Sequence, residues 1–226
     1  SLKFILSSYL ITGSNRGIGL EFCRQLKGRG DDVIATCRSS SAELDDLDVR
    51  VESGVDVTSG ESVLQLRKKL DGIKLDCLIQ NAGIAEYNSL SSLDPESIIR
   101  QFEVNALSPL CFSKAMLGNM GKGSKIALIT SRMGSIEDNT SGGSYGYRMS
   151  KVALCMAGKS LSIDLNPKEI SVAILHPGWV STRMTGFTSS GITPKESVKG
   201  LLERIDLLNI ENSGTFWHSN GEVLPW

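Results

Sequence analysis

Residues 12–19 read Thr12-Gly13-Ser14-Asn15-Arg16-Gly17-Ile18-Gly19. On one side lies a run with strand character, residues 4–11. On the other, Ile18, Phe22 and Leu26 recur with helical spacing. Glycines at such a junction let the backbone approach a pyrophosphate closely, and the helix N-terminus favours its charge. An ordinary glycine-rich strand–helix turn would use the same residues, so the stretch has to be read together with the rest of the chain.

Moving outward, short apolar runs alternate with longer helix-like stretches. Strands are expected at 33–36, within 49–57, and at 75–79, 125–130, 170–175 and 214–217. The first strand, 4–11, contains an unusual Ser7-Ser8 step. Helices are expected at 58–70, opened by a Thr58-x-x-Glu61 capping box, and from Asp94-Pro95 toward Met120 with a break near Pro109. Two more are expected at 147–165 and from Thr193-Pro194-x-Glu196 toward Leu208. Loops are expected at 39–41, 136–146 and 186–193. Alternation of this kind predicts a single α/β domain over 1–226, a doubly wound Rossmann-type fold. Its mostly parallel, seven-stranded sheet has helices on both faces. Continuous runs such as Ile126-Ala-Leu-Ile129 and Val172-Ala-Ile-Leu175 fit strands buried on both sides. The sequence shows no internal repeat, signal peptide or low-complexity tail.

Composition removes several function classes. The 226 residues carry 24 Lys+Arg against 25 Asp+Glu, so the basic excess of a nucleic-acid binder is missing. With two histidines, His176 and His218, and no Cys-x-x-Cys, neither a metal site nor a His-based hydrolase is expected. No apolar run reaches the roughly 18 residues of a membrane span. The five cysteines (23, 37, 77, 111 and 155) are odd in number and widely spaced. Buried free thiols in a reducing, cytoplasmic setting are the simplest reading.

Four motifs occur in order. Thr12 and the Gly-x3-Gly-x-Gly turn are followed by Asn81-Ala82-Gly83 after the fourth strand. Tyr147-x-x-x-Lys151 opens the long helix, and Pro177-Gly178-Trp179-Val180-x-Thr182 follows the sixth strand. In this order and context they resemble the short-chain dehydrogenase/reductase family over nearly the whole chain. Within it, Ser131-Arg-Met-Gly-Ser-Ile136, Tyr147-Arg-Met-Ser-Lys151 and Gly214-Thr-Phe-Trp217 look like sniffer-type carbonyl reductases and C-factor proteins.

The resemblance implies site residues. Tyr147 would serve as acid/base, with Lys151 on the same helix face lowering its pKa and binding ribose. Ser131 would orient the substrate carbonyl. It lies sixteen residues before Tyr147, a slightly longer interval than is usual in the family, and Ser135 is the fallback. Asn105 would support a proton relay. Tyr145 lacks a lysine four residues on and is left as a pocket residue. The implied cofactor contacts are Gly13, Ser14, Asn15, Arg16, Gly17, Ile18, Gly19, Asp56, Val57, Asn81, Ala82, Gly83, Pro177, Gly178, Trp179, Val180 and Thr182. The second strand ends Ala35-Thr36-Cys37-Arg38, without the acid that bonds a ribose 2′-hydroxyl in NAD binders. Arg38 and Arg16 favour a 2′-phosphate, hence NADP(H). Trp179 either covers the nicotinamide or packs, and His176 is read as a strand-end hydrogen-bonding residue.

The expected activity is NADPH-dependent reduction of aldehydes, ketones or quinones. The expected partners are a small-molecule carbonyl substrate and a second copy in a homodimer, with a monomer as the alternative. Two rivals are carried: an NADP(H)-binding regulatory or developmental signalling protein with little catalysis, and a methyltransferase. Tyr147-x-x-x-Lys151 and the arginine at the end of the second strand argue against the methyltransferase.

Overall fold

The computed structural model describes residues 6–226. Its elements run β1 (Ser8–Ile11), α1 (Gly17–Gly28), β2 (Asp32–Thr36), α2 (Ala42–Asp45), β3 (Arg50–Glu52), α3 (Gly60–Lys69) and β4 (Cys77–Gln80). They continue α4 (Pro95–Phe102), α5 (Ser108–Met116), β5 (Lys125–Ile129), α6 (Tyr145–Asp164), β6 (Ser171–His176), α7 (Pro194–Leu207) and β7 (Phe216–His218). The strands form one seven-stranded sheet in the order β3-β2-β1-β4-β5-β6-β7, and every neighbouring pair is parallel. This is the Rossmann-like arrangement the alternation predicts.

Side chains alternate across each strand, so one sheet supports two cores. Ile11, Ala35, Ile79, Ala127 and Leu175 face α1 and α7 through Phe22, Leu26, Val198 and Leu201. Leu10, Leu78, Ile126, Leu128 and Val172 face α3, α5 and α6 through Leu66, Phe112, Met116 and Leu154. The chain crosses from one half of the sheet to the other between β3 and β4, so the strand order reverses where β1 and β4 lie side by side. In parallel sheets that reversal opens a crevice at the carboxyl ends of the strands.

Several boundaries differ from the sequence reading. The expected first strand extends into residues outside the described ones, and pairing begins at Ser8. The Ser8 hydroxyl donates to the Lys74 carbonyl (2.9 Å) and its N–H to Asp76 Oδ2 (2.9 Å), which accounts for a serine there. Helix α3 is capped by Ser59, whose hydroxyl accepts from Ser62 N–H (3.2 Å). Thr58 is captured by Asp56 (2.7 Å) and cannot act as the cap. The four-residue α2 has no periodic signal to find. The break before Pro109 is a π turn over Glu103–Leu107. Proline offers no N–H to the carbonyl four residues back, and the chain adjusts by an i→i−5 bond from Ser108 N–H to the Glu103 carbonyl. Helix α6 starts at Tyr145, two residues early. Cys23, Cys37, Cys77 and Cys155 are buried, Cys111 is exposed, and all five are free thiols.

Candidate active site

The glycine turn after β1 is braced by the strand beside it. Thr12 Oγ1 accepts from the N–H groups of both Asn81 and Ala82 (3.0 Å each). Asn81 Nδ2 donates back to the carbonyls of Thr12 (3.3 Å) and Gly13 (3.2 Å). A Cβ on Gly19 would stand 2.0 Å from the Gly13 carbonyl oxygen, so only glycine lets α1 approach β1 this closely. Gly17 adopts φ +57°, and its nearest neighbour across the opening is the Thr182 side chain, 3.8 Å from where a Cβ would lie. The turns after β1, β4 and β6 therefore meet at one edge of the sheet.

The expected cofactor contacts separate into open and committed groups. Ser14 is buried, and its hydroxyl is committed to the Ile11 carbonyl (2.7 Å). Ile18 and Val57 pack against the two cores. Arg16 and Arg38 are exposed, and neither guanidinium has a hydrogen bond or ion pair among the described residues. Thr58 holds the Asp56 carboxyl below its ordinary pKa, with Arg38 adding a smaller pull in the same direction. Gly178 takes φ +88°, and Trp179 is exposed with its indole N–H donating to Thr188 (3.3 Å). Val180 is buried and bridges to Ile192.

Ser131, Tyr147, Lys151 and Asn105 are all buried around the end of β5. Ser131 caps a short turn, its Oγ accepting from Met133 N–H (3.1 Å). The Lys151 ammonium lies 5.7 Å from the centre of the Tyr147 ring and donates to the Ile129 carbonyl (3.3 Å). The π turn aims Asn105 inward. Its Nδ2 donates to the Ile84 carbonyl (2.8 Å) and Ser150 Oγ (3.0 Å), and its Oδ1 accepts from Ile84 N–H (2.9 Å). A Cβ on Gly83 would lie 3.2 Å from Asn105 Oδ1 and 3.6 Å from Lys151 Nζ, so these side chains converge over the glycine of Asn81-Ala82-Gly83.

The electrostatics correct one expectation. Lys151 does not leave Tyr147 with a lowered pKa. Burial pushes the phenol well above its ordinary value, Tyr87 adds to the rise, and Ser131 pulls it down. Burial also brings the Lys151 ammonium down to about 8. For both groups desolvation is the largest cause of the shift. Ser135 is engaged elsewhere, donating to the Trp226 carbonyl (3.2 Å) and accepting from Asp138 N–H (3.0 Å), so it is no rival to Ser131.

Some site residues are visible only in three dimensions. Thr12 stands in the quoted turn, yet its bracing role needs β4 beside it. His176 Nδ1 accepts from Arg132 N–H (3.0 Å), which fixes the residue after Ser131. Tyr87 meets the Tyr147 ring edge-on at 5.5 Å and carries no sequence signal. No group of three or more His, Cys, Asp or Glu among the described residues is placed to hold a metal ion.

The sequence model described as short chain dehydrogenase matches residues 8–192. The chain belongs to that family. A short-chain dehydrogenase is an oxidoreductase, and one relative matches along nearly the full length. The 1-hydroxy-2-glutathionyl-2-methyl-3-butene dehydrogenase of Rhodococcus sp. (strain AD45) is 44% identical over 226 residues, covering 98% of this chain and 100% of that protein. C-signal of Myxococcus xanthus is 45% identical over 155 residues, covering 67% of this chain and 93% of its own. Among solved structures, carbonyl reductase Sniffer of D. melanogaster superposes with a TM-score of 0.90 at 31% identity, covering 98% of this chain and 100% of its own. The NADPH-bound carbonyl reductase from chicken fatty liver gives 0.88 at 31%, covering 98% and 99%.

Proposed function

We propose that this short-chain dehydrogenase is an NADP(H)-dependent carbonyl reductase acting on aldehydes, ketones or quinones. The observation that carries the reading is the convergence of Ser131, Tyr147 and Lys151 at the sheet edge where the turn 13–19 opens. The residues present fit the cofactor. Gly17 and Thr182 flank an open cradle at a helix N-terminus, suited to a pyrophosphate. Arg16 and Arg38, both uncommitted, suit a 2′-phosphate. The NADPH-bound avian neighbour supports the same choice. When bound, the nicotinamide supplies a hydride to a carbonyl carbon or takes one from the corresponding alcohol.

The chain's own residues handle the oxygen. Tyr147, protonated at neutral pH, donates its phenolic proton to the carbonyl oxygen as charge develops there. Ser131 donates a second hydrogen bond to that oxygen and favours the phenolate that Tyr147 becomes. Lys151, a cation below about pH 8, stabilises the same phenolate and stands ready to contact ribose. Asn105 holds the Ile84 backbone and Ser150 around them.

For the homodimer reading, the exposed apolar residues on offer are Ile99, Phe102, Leu107 and Leu110 on α4, α5 and the π turn, and Met149, Met156 and Ile163 on α6. Free thiols fit a cytoplasmic setting. Among the described residues, no helix is long and apolar enough to cross a membrane.

The test is NADPH oxidation with a quinone and an aromatic aldehyde, comparing wild type with Tyr147→Phe. The name of the Rhodococcus relative adds a glutathione-adduct alcohol, assayed in the oxidative direction. Turnover with a loss of about 10²–10⁴-fold in the variant is expected. Turnover that survives the substitution removes Tyr147 from its role. Tight NADPH binding with no turnover on any substrate supports the second reading, a cofactor-dependent regulator, which the similarity to C-signal favours.

A further inference from the structure

Among the described residues, Tyr87 is the one aromatic residue in ring contact with Tyr147, and the chemistry above leaves it unused. It lies in the connection between β4 and α4, whose backbone is pinned on both sides. Ile84 is bound through its N–H and C=O by Asn105 (2.9 and 2.8 Å), and Glu86 N–H donates to Gln101 Oε1 (3.1 Å). The Glu86 carboxylate is held by Ser97 (2.7 Å) and Arg100 (2.8 Å). The Asn88 carbonyl accepts from the N–H of Ser144 (2.9 Å), the cap of α6. Between these anchors the Tyr87 ring packs against Tyr147 while its hydroxyl is uncommitted. The residue is 50% exposed, and its hydroxyl has no hydrogen-bond partner among the described residues. Beside it, the Asn88 side-chain oxygen is buried without a partner. The Tyr87 ring stands edge-on to Tyr147 at 64°.

We propose that Tyr87 is a substrate-contacting residue that selects planar aromatic carbonyl compounds and their alcohols over aliphatic ones. The inference rests on the reading of Tyr147 as proton donor. A carbonyl oxygen that reaches the Tyr147 phenol brings its substituent alongside a ring already fixed against that phenol. Aromatic rings meet edge-to-face or in offset stacks at this range, with a benefit that an alkyl chain of similar area does not share. The pinned backbone keeps the ordering cost low, because the ring is held in place before the substrate arrives. The free Tyr87 hydroxyl leaves polar capacity for ring substituents.

The test uses the full chain as wild type, Tyr87→Leu and Tyr87→Phe. Benzaldehyde and butanal are compared for KM and kcat. Benzamide and butyramide, which are not reduced, are compared for Kd by ligand-observed NMR. In Tyr87→Leu, KM for benzaldehyde and Kd for benzamide are expected to rise about tenfold, while the aliphatic probes change by less than about twofold. Tyr87→Phe, which keeps ring and packing, is expected to retain the aromatic preference. Equal loss of kcat on both aldehydes with unchanged KM would reduce Tyr87 to a support for Tyr147 and overturn the proposal. So would unchanged binding of benzamide in the leucine variant, or loss of the preference in the phenylalanine variant. A wild type that reduces neither aldehyde, nor the quinone of the earlier assay, sinks the carbonyl-reductase reading, and the two amides still decide the role of Tyr87.

Discussion

Replacing Lys151 by methionine is expected to stabilise the protein while abolishing turnover. The ammonium is buried, and among the described residues no carboxylate forms an ion pair with it. Its pKa falls from a lysine's ordinary 10.5 to about 8, which corresponds to about 3 kcal/mol of burial cost carried by the folded state. Methionine fills the same space without charge but loses the hydrogen bond to the Ile129 carbonyl, worth about 1 kcal/mol. The net gain at neutral pH is about 2 kcal/mol, or roughly 4–8 °C in Tm for a chain of this size. The sign of the pH dependence follows from proton uptake. Between pH 8 and 10.5 the unfolded chain binds the lysine proton and the folded chain has released it. The burial cost is thus fully present below about pH 8 and fades as pH rises toward 10.5. Urea unfolding of both proteins without added cofactor, at neutral pH and in steps up to pH 10.5, should show the variant's advantage shrinking across that window. A variant less stable than wild type at neutral pH, by an amount that does not change with pH, would refute the assignment of an uncompensated buried charge.

Gly19→Ala places a methyl 2.0 Å from the Gly13 carbonyl oxygen and should cost about 3 kcal/mol or more in urea unfolding, with NADPH binding lost. Removing both Arg16 and Arg38 to alanine should raise the Kd for NADPH by about 10- to 100-fold while leaving NADH within about threefold. Fluorescence titration checks this, and an equal effect on both cofactors would exclude a 2′-phosphate contact. His176→Leu strands the Arg132 N–H and should cost about 1–3 kcal/mol, most of it recovered in His176→Asn, whose amide oxygen can accept. The His176 imidazole, held down to about 3 chiefly by burial, binds its proton later than the unfolded chain. Wild type should therefore lose stability as pH falls from 6.5 toward 3, and His176→Asn should lose less, as read by thermal melts across that range.

The fold is legible in the sequence because strands buried on both faces have to be continuous apolar runs, and Ile126-Ala-Leu-Ile129 can be little else. The site is legible for a related reason. In a parallel sheet every strand ends at the same edge, so motifs that each follow a strand in the sequence meet in space. That rule brings Thr12-Gly13, Asn81-Ala82-Gly83, Ser131 and Pro177-Gly178 together without any contact being known beforehand. What escapes is whatever depends on competition at close range. Thr58 and Ser59 both read as caps, and the choice falls to Ser59 only because Asp56 captures Thr58. Pro109 signals a break, but not that the break is a π turn placing Asn105 over Gly83. The phenol of Tyr147 is raised, although a lysine lies one helical turn away, because desolvation is a property of everything packed around it. Tyr87 lies in a stretch with no periodicity, and only its anchors at Ile84, Glu86 and Asn88 give it a position.

The choice between enzyme and regulator turns on features that cost stability and converge on one phenol. Lys151 is buried without an ion pair among the described residues. Ser144 enters α6 with φ +50°, which a residue with a Cβ adopts at a cost. The π turn over Glu103–Leu107 interrupts an otherwise regular helical run. Tyr147 precedes the first of these by one turn and follows the second by three residues, and Asn105 in the third is tied to Ser150, between Tyr147 and Lys151. In the proposed site, a regulator that only binds the cofactor would need Lys151 for its ribose contact alone, which an uncharged hydrogen-bonding side chain could supply at a smaller burial cost. A cluster that holds a cation beside a phenol at such a cost is accounted for by proton transfer. The Lys151→Met measurement therefore bears on function as well as on stability: a large gain in stability means that the lysine is kept at the expense of the fold, and no gain removes this argument against the regulator.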